Sequence, residues 1–284
     1  FTTYPRMAVS AERITEVLDT EIRIESKPDG VVETEEKGYV EFQNVAFAYH
    51  DDLETEVLTD ISFTAKPGEV VAFIGSTGSG KSSIIKLIPR FHDVVAGRVL
   101  IDNVDTRDFE LTALREKIGY VPQKSILFTG TIRENLLYGN PEATDEELIE
   151  AAKVAQAYEF IDSKPEKFDY YLAESGANLS GGQRQRLAIA RALVRKPEVY
   201  IFDDSFSALD YKTDAKLREA LKGYTKKSTV LLVAQRVGTI MSADKIIVLD
   251  KGEIVAEGKH HELLKTSKIY AEIAASQLSE EELA

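Results

Sequence analysis

The chain has 284 residues and contains no cysteine, no long apolar run and no excess of basic residues. Without cysteine it can form no disulfide, no thiolate nucleophile and no cysteine-ligated metal site. Its net charge of -13 argues against duplex DNA as a ligand, because a DNA-binding face must be basic enough to neutralise phosphates. No apolar stretch approaches the roughly 18 residues of a membrane-spanning helix. The sequence shows no signal peptide and begins with Phe1, so we expect a soluble segment of a longer polypeptide.

The order of the remaining segments predicts an α/β fold. A hydrophobic content of 43% is enough to bury a core in one large domain or in two lobes. Mostly helical periodicity covers residues 145–193, and a last helix covers residues 262–277. Strands are expected at residues 40–47, 58–65, 70–74, 199–202, 230–234 and 245–249, with a helix at 83–90. We predict an α/β core, a small antiparallel β subdomain and an inserted helical subdomain.

A glycine-rich loop joins the strand at residues 70–74 to the helix that follows. Residues 75–82 read Gly-Ser-Thr-Gly-Ser-Gly-Lys-Ser, which is the P-loop pattern GxxxxGK followed by Ser or Thr, in its strand–loop–helix context. Backbone N–H groups of such a loop surround phosphates, and its glycines permit positive φ. Lys81 is expected to bridge the β- and γ-phosphates of ATP, and Ser82 to bind Mg²⁺. The candidate ATP-binding residues here are Gly75, Ser76, Thr77, Gly78, Ser79, Gly80, Lys81, Ser82 and Ser83.

A second phosphate-handling motif, Leu179-Ser180-Gly181-Gly182-Gln183, follows about a hundred residues later. LSGGQ is the signature of the ATP-binding cassette, so the chain resembles the nucleotide-binding domain of an ABC transporter of the exporter type. The resemblance covers residues 39–270 and implies a P-loop ABC-ATPase core with ATP and Mg²⁺ as cofactors. It also implies that the helix beginning with Ser180, Gly181, Gly182 and Gln183 binds the γ-phosphate of an ATP held by another cassette. Two cassettes would then close head to tail around two nucleotides.

The same resemblance implies roles for residues outside the two motifs. Asp203, at the end of an apolar strand, would hold magnesium together with Ser82 and Gln123. Gln123 lies in a stretch similar to the Q-loop of exporters and would also meet the attacking water. Tyr49 lies 26 residues before Gly75. There it would stack on adenine, a contact worth roughly 1–3 kcal/mol, and Phe47 is the competing aromatic residue.

The resemblance further implies a domain organisation and a set of partners. Residues 1–38 would be an elbow or linker from an absent transmembrane domain, residues 39–270 the cassette, with its helical subdomain at about 124–195, and residues 271–284 a C-terminal helical tail. Coupling helices of the transmembrane domain in the same polypeptide would contact the cassette at the cytoplasmic face of the cell membrane. For residues 8–18, a frayed terminal helix is an equally good interpretation.

Two residues depart from the pattern of hydrolysing cassettes. Such cassettes carry glutamate directly after the magnesium-binding aspartate, where this chain has Asp204. One methylene fewer withdraws the carboxylate by about 1 Å, and misplacement on that scale costs on the order of a hundredfold in rate. Gln235 stands where those cassettes have a histidine that contacts the γ-phosphate, and an amide has no titratable proton. We therefore take Asp204, Gln235 and Gln123 as the candidate catalytic residues of a site that binds ATP and hydrolyses it slowly.

The intact signature beside an altered nucleotide site suggests a heterodimeric exporter in which a different chain supplies the working glutamate and histidine. A homodimer in which Asp204 is catalytically competent is the first alternative. A regulatory clamp that binds ATP without hydrolysing it is the second. A third is a soluble cassette serving DNA repair or the ribosome, but the acidic charge and the exporter-like segments oppose it, and no nucleic acid partner is expected. A P-loop kinase would have no use for LSGGQ.

Overall fold

The computed structural model describes residues 3–49 and 56–278, and the ends of the expected linker and tail, 1–2 and 279–284, lie outside the described residues. In the described part, the strands are β1 (Val40–Phe47), β2 (Leu58–Ala65), β3 (Val70–Gly75), β4 (Ala96–Ile101), β5 (Val104–Asp105), β6 (Ile118–Val121), β7 (Gly130–Thr131), β8 (Tyr171–Leu172), β9 (Val199–Asp203), β10 (Thr229–Val233), β11 (Lys245–Asp250) and β12 (Glu253–Gly258). The α-helices there are α1 (Thr3–Leu18), α2 (Lys81–Leu87), α3 (Leu111–Glu116), α4 (Ile132–Leu137), α5 (Asp145–Val154), α6 (Tyr158–Asp162), α7 (Gly181–Val194), α8 (Tyr211–Tyr224), α9 (Val237–Ile240), α10 (His260–Thr266) and α11 (Lys268–Ala275).

A six-stranded sheet in the order β12-β11-β3-β10-β9-β6 forms the core of the fold. The five strands from β11 to β6 run parallel, and β12 is an antiparallel edge strand. Every residue of β9 and β10 is buried, as expected for strands covered on both faces. The predicted α/β core is confirmed.

The predicted antiparallel β subdomain is a four-stranded sheet in the order β2-β1-β4-β5. Val40 of β1 pairs with Ala65 of β2 on one side and with Ile101 of β4 on the other. The rings of Phe42 and Phe63 stack with their centroids 4.6 Å apart. This face shares one apolar cluster with α2 and with one side of the parallel sheet, so the P-loop helix is packed between the two sheets.

Helices α4 to α7 lie between Ile132 and Val194, and α4 and α5 pack against α7. Their buried aliphatic side chains join the apolar cluster on the other face of the parallel sheet. Residues 145–193 are mostly helical, as expected, and β8 and two short 3-10 turns, Lys167–Asp169 and Glu174–Gly176, separate the helices. The expected helix at residues 262–277 is two helices, since Ser267 adopts an extended backbone between α10 and α11.

The N-terminal segment has two parts with different surroundings. Helix α1 exposes its apolar side chains, Met7, Val9, Ile14, Val17 and Leu18. Further along, Arg90 donates a hydrogen bond to the Glu25 carbonyl at 3.2 Å, Lys27 pairs with Asp108 at 2.7 Å, and Val31 forms a β-bridge with Phe109. The second part of the expected linker is therefore attached to the cassette, whereas the assignment of residues 1–38 as an elbow stays a prediction.

A buried lysine ties this segment to the core. The Lys117 ammonium donates hydrogen bonds to Thr34 at 2.8 Å, to Asp102 at 3.0 Å and to Glu198 at 2.8 Å. The exposed fraction is 8% for the Lys117 side chain and 0% for that of Asp102. Burial lowers the pKa of Lys117, but the hydrogen bonds to Glu198 and Asp102 outweigh it and hold that pKa above its usual value. One ammonium thus joins four separate chain segments.

We expect Lys117→Met to lower the free energy of unfolding by about 3–5 kcal/mol, because it leaves the buried Asp102 carboxylate without its counter-charge. The measurement is chemical denaturation at neutral pH. The matched control is Lys27→Met, which removes a half-exposed ion pair with Asp108 and should cost no more than about 1 kcal/mol. Equal losses for the two variants would contradict the structural role of Lys117.

Candidate functional site

The carboxyl ends of three neighbouring parallel strands bring most of the predicted site residues together. Val233, the last residue of β10, pairs with Phe73 of β3 and with Asp203 of β9. The P-loop leaves β3 at this edge of the sheet, Asp204 follows β9, and Gln235 lies two residues beyond β10. Ligands of open α/β sheets bind at this edge, and the register of the strands is what assembles the site.

Glycine is required at two positions of the loop, because other atoms lie too close to leave room for a side chain. A Cβ on Gly75 would lie 2.1 Å from the Leu249 carbonyl oxygen. Gly80 has φ of +99°, and a Cβ there would lie 2.5 Å from a methyl carbon of Leu58. No side chain caps α2 after Gly80, so the first N–H groups of the helix remain available to an anion.

The Lys81 ammonium is held inside the curve of the loop. It donates to the carbonyl oxygens of Gly75 and Ser76, each at 2.8 Å, and to Ser79 Oγ at 3.2 Å. Burial lowers the pKa of Lys81, while the nearby carboxylates Asp204 and Asp203 act in the opposite direction. The cation therefore lies where backbone N–H groups and a positive charge can act together on phosphate oxygens.

Both carboxylate oxygens of Asp203 accept a hydrogen bond. Ser82 Oγ donates to Oδ1 at 2.9 Å, and the Tyr120 hydroxyl donates to Oδ2 at 3.1 Å. Burial, followed by the charge of Asp203, raises the pKa of Tyr120 far above its ordinary value, so the phenol stays a donor. A serine hydroxyl beside a carboxylate is an oxygen donor set that suits Mg²⁺, which keeps several waters and binds substrate phosphates. Tyr120 is a site residue that sequence reasoning missed, since a tyrosine in an apolar strand is an ordinary core residue.

The three candidate catalytic residues meet at one oxygen atom. Gln123 and Gln235 donate side-chain amide hydrogen bonds to Asp204 Oδ2 at 3.0 and 2.8 Å. Asp204 is 7% exposed and has φ of +47°, a backbone conformation uncommon for residues other than glycine. Burial raises the pKa of Asp204, and the two amides oppose that shift. Both departures from the hydrolytic pattern are thus part of a single contact.

The aromatic candidates for an adenine contact have different surroundings. Phe47 is 1% exposed and belongs to the core, whereas Tyr49 is 40% exposed. The Tyr49 hydroxyl lies 2.9 Å from Ser83 Oγ at the P-loop helix, and its ring meets Phe47 and His92 edge to face. The geometry favours Tyr49 over Phe47 for stacking on a base, and the adenine contact itself stays a prediction.

The signature residues lie apart from the P-loop of their own chain. Ser180 and Gln183 form a reciprocal capping box at the start of α7, with N···O distances of 3.0 and 3.2 Å. Ser180 and Gly181 are exposed. None of the four signature residues lines the cavity in front of the P-loop. The start of α7 is therefore exposed outside the lining of its own chain's nucleotide cavity.

A cavity of about 580 Å³ opens in front of the P-loop, and its far wall is the C-terminal helix α11. Tyr49 lies outside it, in a separate pocket. The motif residues that line the cavity are Gly75, Ser76, Thr77, Gly78, Lys81, Ser82, Gln123, Asp204 and Gln235. The lining residues from α11 and the turn after it are Ile269, Glu272, Ile273, Ser276 and Gln277. This second set was missed from the sequence, because no motif marks it.

Comparison with known proteins agrees with this geometry. The sequence profile of the family described as ABC transporter matches residues 58–207, more than half of the chain. The ABC transporter ATP-binding protein YfiB of Bacillus subtilis is 44% identical over 278 residues, covering 98% of this chain and 48% of the relative. An ATP-dependent lipid A-core flippase of Syntrophus aciditrophicus is 42% identical over 273 residues, covering 96% of this chain and 45% of the relative. A bacterial Atm1-family ABC exporter, solved with ATP bound, superposes with a TM-score of 0.90 at 37% identity, covering 98% of this chain and 49% of that one.

The chain belongs to the ABC transporter family and is its ATP-binding domain, the ATPase domain of these transporters. It spans about half the length of the curated relatives that it matches. Among the described residues, none of the helices combines the length and apolarity that a membrane crossing requires.

We expect Tyr120→Phe to weaken the Mg²⁺-dependent part of ATP binding about tenfold, because residues that orient a metal-binding carboxylate typically contribute that much. Titration with ATP in the presence and absence of Mg²⁺ measures the effect. Binding without Mg²⁺ should be unchanged. The matched control is Tyr171→Phe, at an exposed tyrosine of β8. If both variants bind MgATP like the native chain, Tyr120 does not orient Asp203.

Proposed function

We propose that this chain binds MgATP and closes head to tail with a second cassette to drive export of a substrate across a membrane. Its own nucleotide site hydrolyses slowly, and its signature motif completes the active site of a partner cassette on a different chain. Residues 39–270 form the cassette, residues 1–38 link it to a transmembrane domain of the same polypeptide, and residues 271–284 form the tail. The transmembrane domain contacts the cassette through coupling helices, at the cytoplasmic face of the cell membrane.

The observation that carries the slow site is the contact between Asp204 and Gln235, 2.8 Å long. The two neutral amides only partly offset the rise in the pKa of Asp204 that burial causes, and the carboxylate lies one methylene short of a glutamate's reach. Gln235 offers an amide donor and no titratable proton. Asp204 and Gln235 stand where the attacking water must be activated. Their replacement of glutamate and histidine therefore leaves ATP binding intact and slows ATP hydrolysis.

Apart from Gln123, which also binds Asp204, the residues that bind the nucleotide lie outside this contact. The P-loop residues 75–83 and Lys81 hold the phosphates, Tyr49 stacks on adenine, and Ser82 and Asp203 hold Mg²⁺ with Gln123 beside them. Magnesium, when bound, neutralises charge on the phosphate oxygens. Ser180, Gly181, Gly182 and Gln183 serve the ATP of the partner cassette, which fits the exposure of Ser180 and Gly181 and the fact that none of the four lines the cavity of its own chain.

The proposal that the transporter exports its substrate is based on the names of similar proteins. A putative multidrug export ATP-binding/permease protein of Bacillus subtilis is 43% identical over 276 residues, and this chain covers 47% of it. The lipid A-core flippase and the Atm1-family exporter are also about twice as long as the matched region. These lengths agree with a cassette attached to a transmembrane domain in one polypeptide.

One alternative has an observation in its favour. Burial raises the pKa of Asp204, and a carboxylate with a raised pKa is a better general base. In that case two copies of this chain form an ordinary homodimeric transporter ATPase.

We expect the native chain to bind ATP and turn it over slowly, and the double variant Asp204→Glu, Gln235→His to be on the order of a hundredfold faster. The measurement is steady-state phosphate release with Mg²⁺. A Lys81→Met version of the double variant is the control, because loss of the P-loop cation should abolish turnover. Brisk hydrolysis by the native chain would mean that Asp204 is competent and would favour the homodimer.

In the assembled transporter we expect Ser180→Arg to lower total ATP turnover at least about tenfold, because it blocks the helix start that binds the partner's ATP. Lys81→Met in the same chain should cost much less, since it affects only the slow site. Phosphate release by the reconstituted transporter measures both. Equal losses would contradict a division of labour between two different chains.

A further inference from the structure

The short helix α9, which begins two residues after Gln235, is not capped by the side chain of its own N-cap residue. After β10 ends at Val233, the chain runs through Gln235 and Arg236 into α9, a single turn that begins at Val237. Arg236 is the N-cap residue and its side chain does not cap the helix. The first N–H groups of a helix have no partner within the helix, so this turn depends on an acceptor from elsewhere.

The side chain of Gln277 supplies that acceptor. Its Oε1 accepts a hydrogen bond from the Val237 N–H at 2.8 Å, and its Nε2 donates to the Gln235 carbonyl oxygen at 2.9 Å. The oxygen and the nitrogen of one carboxamide thus each bind a backbone group, the N–H of the residue after Arg236 and the carbonyl of the residue before it. A pair of bonds from a planar group restrains this backbone more than a single bond would.

Helix α11 is anchored well enough to place that carboxamide. Tyr270 and Ala274 are fully buried, and the Tyr270 hydroxyl lies 2.7 Å from His260 Nδ1 of α10. Gln277 follows in the last turn, where its N–H donates to the Ala274 carbonyl at 3.0 Å. The amide of Gln277 thus extends from a fixed support.

We propose that Gln277 is a positioning residue for the nucleotide site: its carboxamide fixes the backbone of Gln235, so that the Gln235 side chain reaches Asp204. The hydrogen-bonded path runs from α11 through Gln277 and the backbone of Gln235 to Asp204 Oδ2, with every heavy-atom distance between 2.8 and 2.9 Å. The consequence for hydrolysis rests on the function proposed above. The restraint on the backbone does not.

Two variants separate the two hydrogen bonds of Gln277, and a third variant is the control. Gln277→Leu has a similar size and removes both bonds. Gln277→Glu keeps an acceptor for Val237 but has no donor for the Gln235 carbonyl. Lys268→Gln is the matched control, because Lys268 lies on the same helix and is 90% exposed.

The first readout is hydrogen exchange of the Val237 amide in the full chain without nucleotide. We expect Gln277→Leu to raise its exchange rate about tenfold, which is the usual net effect of one lost hydrogen bond. Gln277→Glu and Lys268→Gln should leave it near the native rate. Native exchange in Gln277→Leu would overturn the proposal.

The second readout is ATP turnover in the Asp204→Glu, Gln235→His variant, because the contact between Gln235 and Asp204 is itself proposed to slow the native site. Both Gln277 variants should lower kcat about tenfold and leave KM for ATP within about twofold, because the P-loop contacts do not pass through Gln277. Unchanged kcat beside faster exchange would reduce Gln277 to a structural cap and overturn its positioning role. If no chain turns over ATP, the proposed function fails, and hydrogen exchange still decides whether Gln277 holds the Gln235 backbone.

Discussion

The parallel register of β3, β10 and β9 is the constraint on which the nucleotide site depends. Val233 pairs with Phe73 on one side and with Asp203 on the other, and its carbonyl accepts the Asp204 N–H at 2.9 Å. Side chains alternate between the two faces of a strand, so a slip of one residue would turn every buried side chain of β10 to the opposite face. All five residues of β10 are buried, so such a slip would force side chains of different shape into closely packed positions on the opposite face. The apolar core thereby fixes where the polar residues beyond each strand end must lie.

At that edge, two opposing effects act on the Asp204 carboxylate. Burial disfavours its charge, and the amides of Gln123 and Gln235 favour it. An amide can satisfy a buried carboxylate without bringing a charge or a proton of its own. Asp204 and Gln235 therefore form one interacting pair. The Asp204 carboxylate, shorter than that of a glutamate, lies within hydrogen-bonding distance of Gln235, and the Gln235 amide provides its hydrogen bond. This pairing explains how a site that departs twice from the hydrolytic pattern can still be well ordered.

Sequence reasoning succeeded where a local requirement selects the residue. The P-loop glycines are needed for backbone shape, strands β1 and β2 were predicted with the bounds that the structure has, and the α/β architecture followed from segment order. It missed Tyr120 and Gln277, because their partners, Asp203 and Val237, lie 83 and 40 residues away in the chain. Periodicity also could not detect the break between α10 and α11, which depends on the backbone of one serine. Long-range contacts made by ordinary residue types leave no pattern in the sequence.

The contact of Gln277 also bears on how substitutions at position 235 should be interpreted. Gln277 binds the carbonyl of residue 235 and the N–H of residue 237, and neither group belongs to the side chain of residue 235. A histidine at 235 would therefore keep the same backbone support and change only the group that faces Asp204. Effects of that substitution then report on side-chain chemistry, whereas effects of changes at Gln277 report on backbone placement. Because the two contributions reach Asp204 by different bonds, the C-terminal helix influences the nucleotide site without contributing a catalytic group to it.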